Sequence, residues 1–348
     1  VARDEANGHV TPPKISVLMA VRDGAPHLQA SLASLFAQSL GDFELIVIDD
    51  GSQDGTSGIL DAFEDRRLVR LHNPEPLGLA GALNRGLEIA RGDYIARQDA
   101  DDISHPEHLA LQLAFLEANP KVALLGTAYD VIDEGGRYIE TQRQPQDDLA
   151  IRWQMLFHNA FCHSSVMIRR AALEERRLRY NAQLPFAQDY DLWSRLLETN
   201  AGANLPRPLV SLRLHAGSMS GSGKTAQQDI ATRIAAEAIR SLLGRALDRS
   251  EIDGLRACYY TSAPLQAAER ARLLGLYVEL CGAFAHRYHE AVPAAATARY
   301  WIERFLLAPG NPNAAMVGRA FIASPLATLR ALLKRALLKR AMQGQTPP

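Results

Sequence analysis

Cysteine is scarce in this 348-residue chain: Cys162, Cys258 and Cys281 are odd in number, far apart and form no C-x-x-C pair. A disulfide framework is excluded as the organising principle, and a reducing compartment is expected. An excess of one charge is lacking as well, since 38 Lys and Arg stand against 39 Asp and Glu for a formal net charge of −1. That balance excludes a nucleic-acid binder working by bulk positive charge. No run reaches the roughly 18 uncharged apolar residues of a membrane-spanning helix; the best candidate, residues 273–285, is interrupted by Glu279. Residues 1–13 are polar, show no basic-then-apolar signal order, begin with Val, and are read as a mobile leader outside the fold. What remains is ordinary globular composition, 47% hydrophobic and 22% charged, at a length that suggests one large domain and a smaller one.

From Lys14 onward, short β-branched runs alternate with amphipathic ones, the pattern of parallel strands joined by crossover helices. Strands are expected at residues 15–21, 43–48, 68–71 and 94–98, and helices at 26–38, 55–63 and 77–91. Ser104 and Pro106 announce a further helix as cap and first-turn proline. Past Pro120 the pattern loosens into segments 122–126 and 129–133, then a strand at 166–168, a helix at 190–197 and a strand at 209–214. Such a stretch suits the mixed, partly antiparallel half of an α/β domain. After a Gly/Ser-rich run at 217–223 the composition turns to Ala, Leu and Arg with helical period, so a mostly helical region is expected over 225–343.

In open α/β sheets, ligands bind beyond the carboxyl ends of the strands. Three such ends carry acids here: Asp23, the pair Asp49 and Asp50, and the group Asp99, Asp101 and Asp102. A single Asp at a strand end is usually a turn or cap residue. Three acidic ends converging on one edge suggest more. A D-x-D segment can hold Mg²⁺ or Mn²⁺ through few protein oxygens, leaving coordination positions for a diphosphate.

These residues spell a pattern. Segments 17–24 (VLMAVRDG), 44–56 (ELIVIDDGSQDGT), 92–102 (GDYIARQDADD), 163–167 (HSSVM), 188–193 (QDYDLW) and 213–215 (RLH) occur in this order and spacing. The stretch from Lys14 to Ser220 thereby resembles the family 2 glycosyltransferases. The resemblance implies an α/β fold of GT-A type, with a nucleotide-binding sheet flanked by helices over 14–120 and an acceptor-binding half over 121–223; the mostly helical region 224–348 that the composition indicates follows outside the resemblance. It also implies roles. Ala20, Val21 and Asp23 fall in the first nucleotide loop, Asp50 matches the acid at the nucleoside base, and Asp99 matches the acid near the donor ribose and sugar. Asp101 matches the principal metal ligand, His215 a histidine near metal and diphosphate, and Asp189 the general base. Mn²⁺ or Mg²⁺ is the implied cofactor, a nucleotide sugar such as a UDP-sugar the donor, and a glycan or lipid-linked molecule the acceptor. Inverting transfer in bacterial surface polysaccharide or glycolipid synthesis is the implied activity, in the cytoplasm or on the inner face of the membrane.

Two departures stand out. The first loop, usually Pro-x-Tyr-Asn in the family, reads Ala20-Val21-Arg22-Asp23 and lacks the aromatic wall beside the base. Gln188 stands where Glu commonly precedes the catalytic Asp, which should lower the proton affinity of Asp189 if anything. On the acceptor side, His163 either lines the pocket or is a hydrogen-bonded core histidine, and Trp193 is either a sugar platform or core. Asp191 competes with Asp189 for the role of base, but at a helix start it is read mainly as a cap.

Other features read as decoys. Residues 221–225 (GSGKT) look like the tail of a P-loop, but the spacing requires Gly where Ser218 stands, so a flexible loop closing over the donor is expected instead. His286, His289 and Glu290 lack a metal-ligand spacing. Residues 325–343 carry Arg330, Lys334, Arg335, Lys339 and Arg340 without an acid, beside a leucine stripe. That basic amphipathic pattern suits an anionic membrane surface or packing on the protein. Two other functions remain open at this point. A sugar nucleotidyltransferase would need a longer, basic Gly-rich loop after the first strand, and a non-catalytic carbohydrate-binding descendant would have lost Asp99, Asp101 or Asp189.

Overall fold

A computed structural model describes residues 12–215, 217, 224–260 and 266–289. They form two compact units: residues up to Ile151 with Asn159–Ile230, and Arg152–His158 with residues from Ala231 onward.

Strands β1 (Ile15–Val21), β2 (Phe43–Asp49), β3 (Leu68–His72) and β4 (Tyr94–Arg97) lie parallel in the order β3-β2-β1-β4. Helices α1 (Ala25–Phe36), α2 (Thr56–Ala62) and α3 (Gly78–Ile89) make the crossovers. All seven residues of β1 are buried because helices cover both of its faces. Ile15, Val17, Met19 and Val21 share a core with Leu28, Leu32 and Leu35 of α1 and with Leu109, Leu113 and Leu116 of α4 (His108–Ala118). Each such leucine contributes about 1.5–3 kcal/mol through burial. On the other face α3 comes so close at Gly86 that a Cβ there would stand 2.9 Å from Ile48 Cδ1 and 3.2 Å from Leu18 Cδ2.

Beyond β4 the sheet becomes mixed, as expected. Strand β8 (Met167–Arg169) is antiparallel to β4 and to β6 (Val122–Ile132), and β9 (Ala201–Arg213) runs parallel to β6. The short β5 (Ile103–Ser104) closes the edge against β9, and β7 (Tyr138–Gln142) forms a hairpin with β6. The two segments expected at 122–133 are one strand, whose pairing with β9 shifts register around Ala128. In β9 the register skips from Leu205 to Pro208. Pro206 and Pro208 are tolerated at that irregularity, where ladder N–H groups are not needed, so they do not delay the strand to Leu209.

Helices α5 (Asp148–Met155), α6 (Arg170–Glu175) and α7 (Gln188–Leu196) complete the connections. Ser104 is not the cap of α4. It lies in β5 with its Oγ donating to Gln98 Oε1 at 2.8 Å, while Glu107 precedes α4 without a side-chain cap.

Among the described residues three helices follow, α8 (Lys224–Leu243), α9 (Arg249–Tyr260) and α10 (Ala267–Tyr288), which bear out the helical C-terminal region as far as residue 288. In the second unit Trp153 is fully buried and meets Phe157, Tyr277 and Phe284 edge-on at centroid distances of 5.6, 5.6 and 5.3 Å. Among the described residues no helix is long and apolar enough to cross a membrane. The leader up to residue 11, most of the Gly/Ser run and the basic stretch 325–343 lie outside the described residues.

Candidate active site

Pairing of Val21 with Asp49 and of Leu18 with Arg97 brings the carboxyl ends of β1, β2 and β4 to one edge of the sheet. Because β8 is antiparallel to β4, the turn before it, His163–Ser165, reaches the same edge, as does the end of β9 with His215. The acidic strand ends therefore converge, at the edge where α/β sheets bind ligands.

Ala20 and Val21 are not loop residues: they are the last two positions of β1, buried, and the Val21 carbonyl accepts Asp50 N–H at 2.8 Å. Both lie within the strand expected at 15–21, so the loop begins only at Arg22. The loop itself is laced to the next one. Asp23, at φ 53°, accepts Gln53 N–H at 2.7 Å, while the N–H groups of Asp23, Gly24 and Ala25 donate to Ser52, Thr56 and Asp54 side chains at 2.9–3.1 Å. Asp50 is buried. Its Oδ1 accepts Asn73 Nδ2 at 2.6 Å and Leu77 N–H at 2.9 Å, and its Oδ2 accepts Gly78 N–H at 2.8 Å.

Asp99 is gripped from below. Arg97 donates to Asp99 Oδ1, and Ser164 Oγ donates to Asp99 Oδ2 at 2.8 Å. Burial works to raise the proton affinity of Asp99, but the Arg97 guanidinium, with smaller help from Ser164, holds the carboxyl below its ordinary range. Asp102 shows the opposite outcome: burial, reinforced by the charges of Asp99 and Asp101, pushes its carboxyl well above the usual range. Asp102 Oδ1 accepts Arg213 N–H at 2.9 Å, which ties the D-x-D loop to the end of β9.

His215 Nε2 stands 2.9 Å from Asp101 Oδ2, and the His27 ring of α1 lies 5.0 Å from the His215 ring. Among the described residues no group of three His, Cys, Asp or Glu side chains could hold a metal ion by itself. A carboxylate oxygen beside an imidazole nitrogen nonetheless fits an ion that takes its remaining positions from phosphate and water, as Mn²⁺ and Mg²⁺ commonly do.

Asp189 sits in the first turn of α7, whose preceding residue Ala187 adopts φ 53° and supplies no side-chain cap. It is half-buried. Asn159 Nδ2 donates to its Oδ2 at 2.7 Å. Burial, with Asp99 adding to it, raises the carboxyl to about 6 against the opposing hydrogen bond from Tyr190 N–H. Burial thus outweighs the missing neighbouring carboxylate, since the Gln188 in its place is itself buried.

Asp191 is not a cap: its Oδ2 forms an ion pair with Arg195 at 2.6 Å, one turn along the same helix. Trp193 is 0% exposed, so it presents no platform to an acceptor and belongs to the core behind the site. His163 Nε2 lies 3.0 Å from Tyr180 OH, and burial lowers its pKa to about 3. It is hydrogen-bonded and also partly exposed, positioned beside the site. Arg97, Asn159, Ser164 and Tyr180 were not singled out by sequence reasoning; only their places within or between the quoted segments could have flagged them.

The model of glycosyl transferase family 2 matches residues 16–177. An uncharacterized glycosyltransferase of Haemophilus influenzae is 30% identical over 243 residues, covering 67% of this chain and 75% of that protein. The amylovoran biosynthesis glycosyltransferase AmsE of Erwinia amylovora is 33% identical over 206 residues, 57% of this chain and 75% of that protein. Among solved structures, S. aureus TarS 1–349 in complex with UDP-GlcNAc aligns with a TM-score of 0.57 at 17% identity, covering 96% of this chain and 93% of that one, a likeness of fold. Motif order, sheet topology, family match and relatives agree, and the chain belongs to glycosyl transferase family 2.

Proposed function

We propose that this glycosyltransferase moves a sugar from a UDP-sugar to an acceptor hydroxyl in one inverting displacement, with Asp189 as general base. The observation that carries this reading is the state of Asp189: half-buried at the edge that also bears Asp99, with its carboxyl raised to about 6. An acceptor hydroxyl has a pKa far above neutrality, so its proton must be taken as attack proceeds, and a base poised near the working pH does this best. The Asp189 carboxylate, steadied at Oδ2 by Asn159, is the group that takes the proton. With one base and no second carboxylate assigned as nucleophile, a single displacement inverts the anomeric centre.

Asp50 supports uracil as the base. Of its four lone-pair sites three are used within the protein, so Oδ2 can accept one further N–H. Uracil offers one imide N–H there, whereas guanine offers two adjacent donors. The fold neighbour TarS, bound to UDP-GlcNAc, agrees with this choice. Asp99 would hold the donor ribose and sugar, fixed by Arg97 and Ser164. Asp101 and His215 would hold the divalent ion, Mn²⁺ or Mg²⁺, which when bound offsets negative charge developing on the leaving diphosphate. AmsE, named for amylovoran biosynthesis, supports a surface polysaccharide as the product class. The basic stretch 325–343 supports contact with an anionic membrane surface, where a lipid-linked acceptor would reside.

A donor screen tests the reading. Nucleotide release from UDP-, GDP- and dTDP-sugars is followed with Mn²⁺ or Mg²⁺ present, and slow donor hydrolysis makes an acceptor unnecessary. Release from a UDP-sugar is expected; release from GDP-sugars alone would overturn the uracil assignment.

A further inference from the structure

Arg97 is 2% exposed at the end of β4, in a strand whose other residues, Tyr94, Ile95 and Ala96, are hydrophobic core. Nothing about a buried strand end requires a guanidinium, and an aliphatic side chain would avoid the desolvation that a buried cation must overcome. Instead the guanidinium spends its donors on the site. Nη2 donates to Asp99 Oδ1, Nη1 donates to the carbonyls of Gln98 and Leu18, and Nε donates to His163 Nε2 at 3.2 Å.

The last bond has a consequence. A guanidinium only donates, so His163 Nε2 must be an acceptor, and the proton of the neutral ring resides on Nδ1. Tyr180 OH, 3.0 Å from the same nitrogen, is then a donor as well. The His163, Tyr180 and Trp193 rings meet edge to face at 5.7, 6.1 and 6.1 Å. Trp193 lies on α7, one turn beyond Asp189.

We propose that Arg97 is a positioning residue for sugar transfer: from beneath the site it joins the donor-side acid Asp99 to the wall of His163, Tyr180 and Trp193 beside the base. It fixes the Asp99 carboxylate plane and locks His163 as its Nδ1–H tautomer, so the two substrates meet in one geometry. The inference rests on the roles proposed above for Asp99 and Asp189. A purely structural ion pair would instead make activity fall only with the folded fraction.

Arg97→Lys in the full chain tests this, because an ammonium keeps the charge but cannot bond Asp99, His163 and the two carbonyls in one planar fork. The expected result is a folded protein whose kcat drops about 10- to 100-fold, the range that misplacement near 1 Å produces, with donor KM within about threefold. Imidazole ¹⁵N spectra, assigned with His163→Gln, should show the Nδ1–H tautomer in the unaltered protein at pH 7 and its loss in Arg97→Lys. A kcat that falls only with the folded fraction would overturn the proposal. So would an Nε2–H or cationic His163 in the unaltered protein, a result that needs no variant to fold. Asp189→Asn in the same assay separates the two readings. Turnover surviving there sinks the base assignment, whereas turnover lost there but kept in Arg97→Lys sinks only the role of Arg97.

Discussion

Replacing Asn159 by Ala should move the acid limb of turnover to higher pH. Asp189 is raised to about 6 chiefly by burial, and the 2.7 Å bond from Asn159 Nδ2 favours its charged form. Removing a donor from a carboxylate therefore raises the pKa further. A hydrogen bond to a charged group contributes about 1.5–3 kcal/mol, and water reaching the open side of Asp189 should recover part of it. A loss of about 1.4 kcal/mol corresponds to roughly one pKa unit. The base is active when deprotonated, so activity is present above the folded-state pKa and lost as pH falls through it. With the base at about 6, about nine-tenths of it is deprotonated at pH 7 and half at pH 6. After a shift of one unit these become about half and about one-tenth, so kcat should fall about twofold at pH 7 and about fivefold at pH 6. Nucleotide release under saturating donor from pH 5 to 9 measures the limb. An unmoved limb, or one displaced to lower pH, would mean that Asn159 does not hold the Asp189 carboxylate in its charged form.

Asp101→Ala should abolish transfer and weaken UDP binding only when Mn²⁺ is present; calorimetry with and without the ion checks it, and equal losses in both conditions would remove Asp101 from the metal site. Gly92→Ala should destabilise the protein by about 1–3 kcal/mol, a typical penalty for overpacking, because the new Cβ would stand 2.5 Å from Ser16 N and 2.7 Å from Ile15 C. Urea denaturation reads that loss, and unchanged stability would show that the backbone can part there. Deleting residues 325–348 should leave donor hydrolysis intact but weaken binding to anionic vesicles, where each of five basic side chains can contribute about 1 kcal/mol. Flotation at rising salt measures it, and equal binding by both forms would remove the stretch from the membrane.

Legibility in the sequence followed the strength of local patterns. The fully apolar runs of β1 and β2 and the leucine spacing of α1 and α3 announced the parallel half, because strands covered on both faces have little choice of residue. The early start of β9 was hidden by Pro206 and Pro208, which read as breakers until the register skip against β6 is known. Ser104 imitated a cap but bonds Gln98 from within β5, and Asp191 did so again although Arg195, four residues along the same helix, offered it an ion pair. At the site, the acids were legible as strand ends, whereas what tunes them was not. Asn159 reaches Asp189 across 30 positions and Ser164 reaches Asp99 across 65, so neither relation leaves a local trace. Segment 152–158 belongs with the second unit through the burial of Trp153 against Tyr277 and Phe284, which no periodicity announces.

If Asp189 takes the acceptor's proton, its loss must show in kcat of Asp189→Asn with a UDP-sugar and its acceptor. Asn keeps the size and much of the hydrogen bonding but cannot accept a proton at neutral pH, so UDP affinity should persist while kcat falls by about 10²–10⁴-fold. Asp191→Asn, measured in parallel, loses only the ion pair with Arg195 and should affect stability more than rate. A well-folded Asp189→Asn that keeps near-normal kcat, with Asp191→Asn inactive, would contradict the account and assign the base to Asp191.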